Sequence, residues 1–234
     1  MKSALVTGSS SGLGRAVALR LARAGYQVLV HGRRQDMVDE TCRLIEQAGG
    51  RALGQVADLR KVSAADHLAN WSVTQERLSV VVHNAGGYGP APATAENLSK
   101  WDEILNVQLR AVMHITALTL PKLIESQGAY VFTGSVDALR GNSRRSASTA
   151  ASAGRIGFAV SLFEEIREHG VKVITIHPGF MNTPLARSSR LDPARMIQPE
   201  DMAELVVSAI SLPQTSCVVE MTVRPQRSPY VTPQ

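Results

Sequence analysis

Thr7-Gly8-Ser9-Ser10-Ser11-Gly12-Leu13-Gly14 follows the apolar run Ala4-Leu5-Val6 and precedes a stretch in which Val17, Leu21 and Ala24 share one side of a helix. A strand that passes through a glycine-rich turn into a helix is the entrance to an α/β unit. Glycines at 8, 12 and 14 let the backbone turn tightly, approach a phosphate and pack the helix against the strand. The spacing is G-x3-G-x-G, not G-x-G-x-x-G, so the turn alone identifies no ligand. Its position at the exit of the first strand gives it weight.

The same alternation continues along the chain. Apolar runs at residues 2–7, 26–31, 51–56, 78–83, 129–133, 171–177 and 217–223 read as strands. Helical spacing covers residues 14–24, 35–48, about 101–126, about 148–169 and 200–212. Val80-Val81-Val82 is β-branched throughout, as a strand buried on both faces requires. These repeats predict an α/β fold, a three-layer doubly wound parallel sheet of Rossmann-like type, in a single domain spanning residues 1–234. An extended, proline-punctuated tail is expected at about 224–234, crossing a neighbouring subunit. In such sheets ligands bind beyond the carboxyl ends of the strands, where strand order reverses.

The bulk properties exclude several function classes. A chain of 234 residues that is 44% hydrophobic can bury one sizeable core. The net charge of +5 comes from scattered arginines, and aromatic content is 4%, so no nucleic-acid surface is expected. No run reaches the roughly 18 apolar residues of a membrane span. Met1 stands directly before the first strand, leaving no room for a signal peptide. Cys42 and Cys217 are far apart and form no redox or metal spacing, which predicts a reduced, cytoplasmic setting. The six histidines show no ligand spacing, so no metal site is expected.

Further motifs follow the strands in order. His31-Gly32-Arg33-Arg34 ends the second strand without an acidic residue, where an acid would accept a ribose 2′-OH and a guanidinium suits a 2′-phosphate. Asp58-Leu59 follows the third strand, His83-Asn84-Ala85-Gly86 the fourth, and Pro178-Gly179 with Thr183 the sixth. Gly134-Ser135-Val136 follows the fifth, and Ala150-Ala151-Ser152-Ala153-Gly154 lies in the helix after it. Together these elements resemble the short-chain dehydrogenases/reductases over about residues 2–223, in particular their 3-oxoacyl-carrier-protein-reductase-like members.

The resemblance implies NADP(H) as cofactor. Gly8, Ser10, Ser11, Gly12, Leu13 and Gly14 would take the pyrophosphate side, and Arg33 and Arg34 the 2′-phosphate. Asp58 and Leu59 would face the adenine, with Asn84, Ala85, Gly86, Pro178, Gly179 and Thr183 along the nicotinamide half. It also implies catalytic positions: Ser135 as the carbonyl-polarising serine and Asn106 as the residue holding a water of the proton relay. The family places a Tyr thirteen residues after that serine and a Lys four further on. The frame is kept without a gap, yet its two positions hold Ser148 and Ser152.

An aliphatic hydroxyl is a far weaker acid than a phenol, and a serine offers no cation. Tyr88, Asp137 and His177 stand near the expected cleft mouth, either as substitutes or as lining without chemistry. Arg140, Arg144, Arg145, Arg187, Arg190 and Arg195 lie in two flanking loops, either as a solvated rim or as a site for an anionic substrate. Three functions fit. One is an NADP(H)-dependent oxidoreductase acting on a carbonyl, hydroxyl or conjugated small molecule with a non-standard active site. The others are a cofactor-binding pseudoenzyme and a non-redox isomerase or cyclase. The resemblance implies a homodimer or homotetramer, with the helices at about 101–126 and 148–169 in subunit contacts.

Overall fold

The computed structural model describes residues 1–75, 77–87, 89–136, 140–186 and 188–231. Seven strands form one parallel sheet: β1 (Ser3–Val6), β2 (Gln27–Gly32), β3 (Arg51–Val56), β4 (Leu78–His83), β5 (Ala129–Thr133), β6 (Lys172–Pro178) and β7 (Glu220–Val223). Their order is β3-β2-β1-β4-β5-β6-β7. The chain winds outward from β1 in one direction and from β4 in the other, so the order reverses between these two strands. Each expected strand is found, three of them with unchanged bounds.

Helices cover both faces. On one side lie α1 (Gly12–Arg23), α2 (Gln35–Gln47) and α7 (Pro199–Ile210). On the other lie α3 (Val62–Val73), α4 (Leu98–Leu105), α5 (Ala111–Ser126) and α6 (Ser146–Ile166). The period of the strands sorts the core between the layers. Ala4, Val6, Val28, Val30, Val80, Val82, Ile174 and Ile176 pack with α1 and α7. Their neighbours Leu5, Leu29, Val81, Tyr130, Phe132 and Val173 pack with α3, α5 and α6. Leu5 sits in register with Leu29 on one side and Val81 on the other, locking the switch-point strands together.

Two elements depart from the sequence reading. α3 carries Ala65, Leu68, Ala69 and Ser72 on its buried face, too few large apolar groups to stand out in the sequence. The long helix expected over residues 101–126 is broken by a π-turn at Asn106–Arg110. A π-turn carries one extra residue and rotates the side chains that follow it. Val107 and Gln108 thereby become buried, while Asn106 stays at the edge.

The tail folds back on its own chain. Val231 N–H donates to the Arg190 carbonyl at 3.0 Å, and Asp192 N–H to that of Pro229 at 2.8 Å. The Tyr230 ring meets the Phe180 ring edge-on at 5.5 Å. The described part of the tail thus covers the loop after β6. No helix among the described residues is long and apolar enough to cross a membrane.

Candidate active site

The switch point is where the glycine turn leaves the sheet, and side chains from β2 and β4 fix it there. Asn84, one residue past β4, donates through Nδ2 to the carbonyls of Thr7 (3.1 Å) and Gly8 (3.2 Å). Thr7 Oγ1 accepts from the backbone N–H groups of Asn84 and Ala85, both at 3.0 Å. From the other side His31 Nδ1 accepts from the Gly8 N–H at 3.1 Å, and its Nε2 lies 3.1 Å from the Ala57 carbonyl. This pattern makes Nε2 the protonated nitrogen of a neutral ring. Burial holds the His31 pKa down at about 4, so the ring stays neutral and the turn keeps its acceptor.

The turn is also closed to larger residues. A Cβ on Gly14 would stand 2.3 Å from the Gly8 carbonyl oxygen and 2.5 Å from Asn84 Nδ2. α1 starts at Gly12 with no side-chain cap. Its first-turn N–H groups have no acceptor within their own helix and point toward the turn, which suits a phosphate.

A cavity of about 600 Å³ opens over the carboxyl ends of the central strands. Its walls include Gly8, Ser11, Gly12, Leu13, Asn84, Ala85, Gly86, Pro178, Gly179 and Thr183, and also Ser135, Ser148 and Ser152. Thirteen of the expected site residues thus meet in one place. A nicotinamide dinucleotide fits this donor set: uncapped helix amides, a turn that a Cβ would fill, and a cavity that is also lined by Ser135, Ser148 and Ser152.

Other expected residues do not line the cavity. Asn106 donates through Nδ2 to the Arg60 carbonyl at 3.2 Å, and the buried Gln108 lines the cavity in its place. The π-turn, which a helical repeat does not reveal, buries Gln108 and leaves Asn106 at the edge. Asp58 is clamped by Arg60, whose Nη2 lies 2.6 Å from Oδ2, and Leu59 is buried in the core. Arg33 and Arg34 are exposed at the end of β2, outside the cavity walls. Ser10 faces the same outer side, where its carbonyl accepts from Arg15 Nη2 at 2.6 Å. Arg15 is a cation at the turn that sequence reading passed over.

Of the loop arginines Arg145 lines the cavity, whereas Arg140, Arg144, Arg190 and Arg195 are exposed elsewhere. Tyr88, Asp137 and Arg187 lie outside the described residues. His177 is fully buried, with Nε2 at 3.3 Å from Glu220 Oε1. His83 is stacked on Phe132 at 4.9 Å, and its Nε2 is 2.9 Å from Thr116 Oγ1. Among the described residues no group of three or more His, Cys, Asp or Glu side chains could hold a metal ion.

The comparisons with known proteins agree with this geometry. Residues 2–194 match the short chain dehydrogenase family. The chain belongs to that family. An uncharacterized oxidoreductase of Staphylococcus epidermidis is 28% identical over 226 residues, covering 96% of this chain and 97% of that one. Among solved structures, a metagenomic short-chain oxidoreductase in complex with NADP superposes with a TM-score of 0.84 at 27% identity, over 97% of this chain and 98% of its own. A 3-oxoacyl (acyl-carrier-protein) reductase from Agrobacterium tumefaciens with NADP bound gives 0.88 at 25% identity, over 96% and 93%.

The buried rings generate a pH prediction. His31 is held at about 4 and His83 at about 3, both chiefly by burial, against an ordinary value of 6.5. The folded state therefore binds fewer protons than the unfolded state below pH 6.5. Stability is fully present above 6.5 and declines as pH falls toward 4, by about 1.4 kcal/mol per pH unit for each ring. Urea unfolding at pH 7.5, 6 and 5 checks this. A midpoint that stays level or rises between pH 6.5 and 5 contradicts the neutral, buried state of these rings.

Proposed function

We propose that the protein is an NADP(H)-dependent oxidoreductase acting on a carbonyl, hydroxyl or conjugated small molecule. One observation carries the reading: the rigid Gly8–Gly14 turn opens into the same cavity as Ser135, Ser148 and Ser152. Family membership and the NADP-bound structural relatives support a nicotinamide cofactor. When bound, that cofactor exchanges hydride with the substrate carbon. The chain's own work is to hold the dinucleotide along the turn and Asn84-Ala85-Gly86, and to keep the reacting carbon beneath Pro178-Gly179 and Thr183. The Ser135 hydroxyl donates a hydrogen bond to the substrate oxygen.

The choice of NADP(H) rests on the outer end of the turn. Arg33 and Arg34 stand at the exit of β2, where no acid is present to accept a ribose 2′-OH, and Arg15 lies beside Ser10. Asp58, which faces this side, is neutralised by Arg60. The guanidiniums are therefore available to a phosphate.

Ser148 and Ser152 distinguish this site. Their positions on α6 are those the family pattern gives to a Tyr and a Lys, and neither serine supplies an acidic phenol or a cation. Loss of a general acid typically costs about 10²–10⁴ in rate. Substrates that need only hydride delivery, with the proton taken from water, suit such a site best. A conjugated acceptor is of that kind. The second reading, a cofactor-bound protein without turnover, draws on the same two serines. We further propose a cytoplasmic homodimer or homotetramer joined through α5 and α6, whose outer faces expose Met113, Leu118 and Val160.

Fluorescence titration with NADPH and NADH, followed by turnover against panels of ketones and conjugated enones, tests the proposal. NADPH is expected to bind more tightly, and Arg33→Ala to weaken it about tenfold or more while leaving NADH nearly unchanged. Failure of both nucleotides to bind overturns the reading, and tight NADPH binding without oxidation favours the second one. In an active protein, Ser148→Tyr combined with Ser152→Lys should raise ketone reduction by about 10²-fold. No gain means that a different group serves the proton.

A further inference from the structure

Arg155 follows Ser148 and Ser152 by seven and three residues on α6, so the three share one helix face. All three line the cavity. Arg155 is only 5% exposed, and its Nε has no hydrogen-bond partner among the described residues. Burial lowers its pKa only to about 10, which leaves the guanidinium charged at neutral pH. No carboxylate of the described residues is paired with it, and Glu220 Oε1 stands 3.3 Å from His177 Nε2. Arg155 in turn helps to lower the pKa values of His83 and His177, which therefore add no positive charge. Two further residues of the cavity lining, Thr133 and Thr149, have Oγ1 atoms that are buried without partners among the described residues.

A buried charge without a counter-charge is strongly unfavourable, and buried polar atoms without partners are uncommon. A buried charge of this kind on a residue that lines a cavity describes a receptor whose complement arrives with the ligand. A planar guanidinium takes a carboxylate with two parallel hydrogen bonds, and nearby hydroxyls satisfy its remaining lone pairs.

We propose that Arg155 seats the carboxylate of the substrate, which makes this protein specific for small carboxylate-bearing carbonyl or hydroxy compounds such as 2-oxo and 2-hydroxy acids. The proposal rests on the cavity being a substrate site, as argued above. In the reductive direction the carbonyl carbon takes hydride from NADPH, its oxygen takes a proton from solvent, and NADP⁺ is released. The carboxylate is unchanged and serves only as the handle. A cation fixed beside Ser148 and Ser152 also explains how a site built on those serines retains a positive charge.

Oxalate serves as the probe, because it carries carboxylates and cannot be reduced at this site. Calorimetric titration of wild-type protein, alone and saturated with NADP⁺, is expected to show saturable oxalate binding. Arg155→Met should weaken it at least about tenfold, and Arg155→Lys should recover part of the loss. The affinity of Arg155→Met for NADPH should stay within about twofold of wild type. If that variant does not fold, the ¹⁵N resonance of Arg155 Nε in wild-type protein replaces it, and should shift on oxalate addition. No saturable oxalate binding, equal binding by Arg155→Met, or an unmoved Nε resonance overturns the proposal. Loss of NADPH affinity in Arg155→Met, without an effect on oxalate, assigns the cation to the nucleotide and also overturns it. Oxalate binding by protein that binds no nucleotide sustains the carboxylate seat while the redox reading fails, so the two are separable.

Discussion

The backbone must leave β1 at Thr7 and enter α1 at Gly12 inside a space bounded by β2 and β4, and Asn84 and His31 hold it there. The Asn84 side chain takes the carbonyls of Thr7 and Gly8, and the Thr7 hydroxyl takes two backbone N–H groups in return. His31 takes the Gly8 N–H from the opposite flank. These bonds bridge both sides of the switch point, so the orientation of the α1 N-terminus is fixed before any ligand arrives. Preorganisation of this kind lowers the ordering cost of binding. A large part of the cavity wall inherits its position from this turn.

A second set of cavity-lining residues follows a different physical rule. It includes polar groups without partners among the described residues: Arg155 Nε and the Thr133 and Thr149 hydroxyls. Gly134 lines the same cavity, and a Cβ there would come within 2.4 Å of His177 Nδ1, so the close approach of β5 to β6 depends on the missing side chain. In the proposed reading the turn holds the cofactor and these residues select the substrate. The turn is completed by internal hydrogen bonds, whereas the Arg155 side chain keeps an unpartnered Nε among the described residues.

Much of this was legible in the sequence because it depends on local pattern. The period of the strands, the Gly8–Gly14 turn and the place of Asn84, Ser135, Pro178 and Thr183 at strand ends require only that the chain fold as its apolar runs dictate. The burial of Gln108 was not legible, since a π-turn shifts the inward face of its helix and the resemblance pointed to Asn106. Arg155 has no role in the sequence reading, because helical spacing reports a shared face and not burial. Its significance emerges from its burial without a counter-charge among the described residues, which is a property of packing. Asp58 shows the converse: the residue type fits a nucleotide contact, yet Arg60 occupies its carboxylate.

If the turn is a nucleotide cradle, its geometry should control nucleotide binding. The most direct measurement is the dissociation constant for NADPH of Gly14→Ala beside wild type, with circular dichroism and the thermal midpoint recorded for both. A Cβ there collides with the Gly8 carbonyl and with Asn84 Nδ2. The account predicts a folded variant whose NADPH affinity is lower by about tenfold or more. An unchanged dissociation constant in a folded Gly14→Ala protein would contradict it.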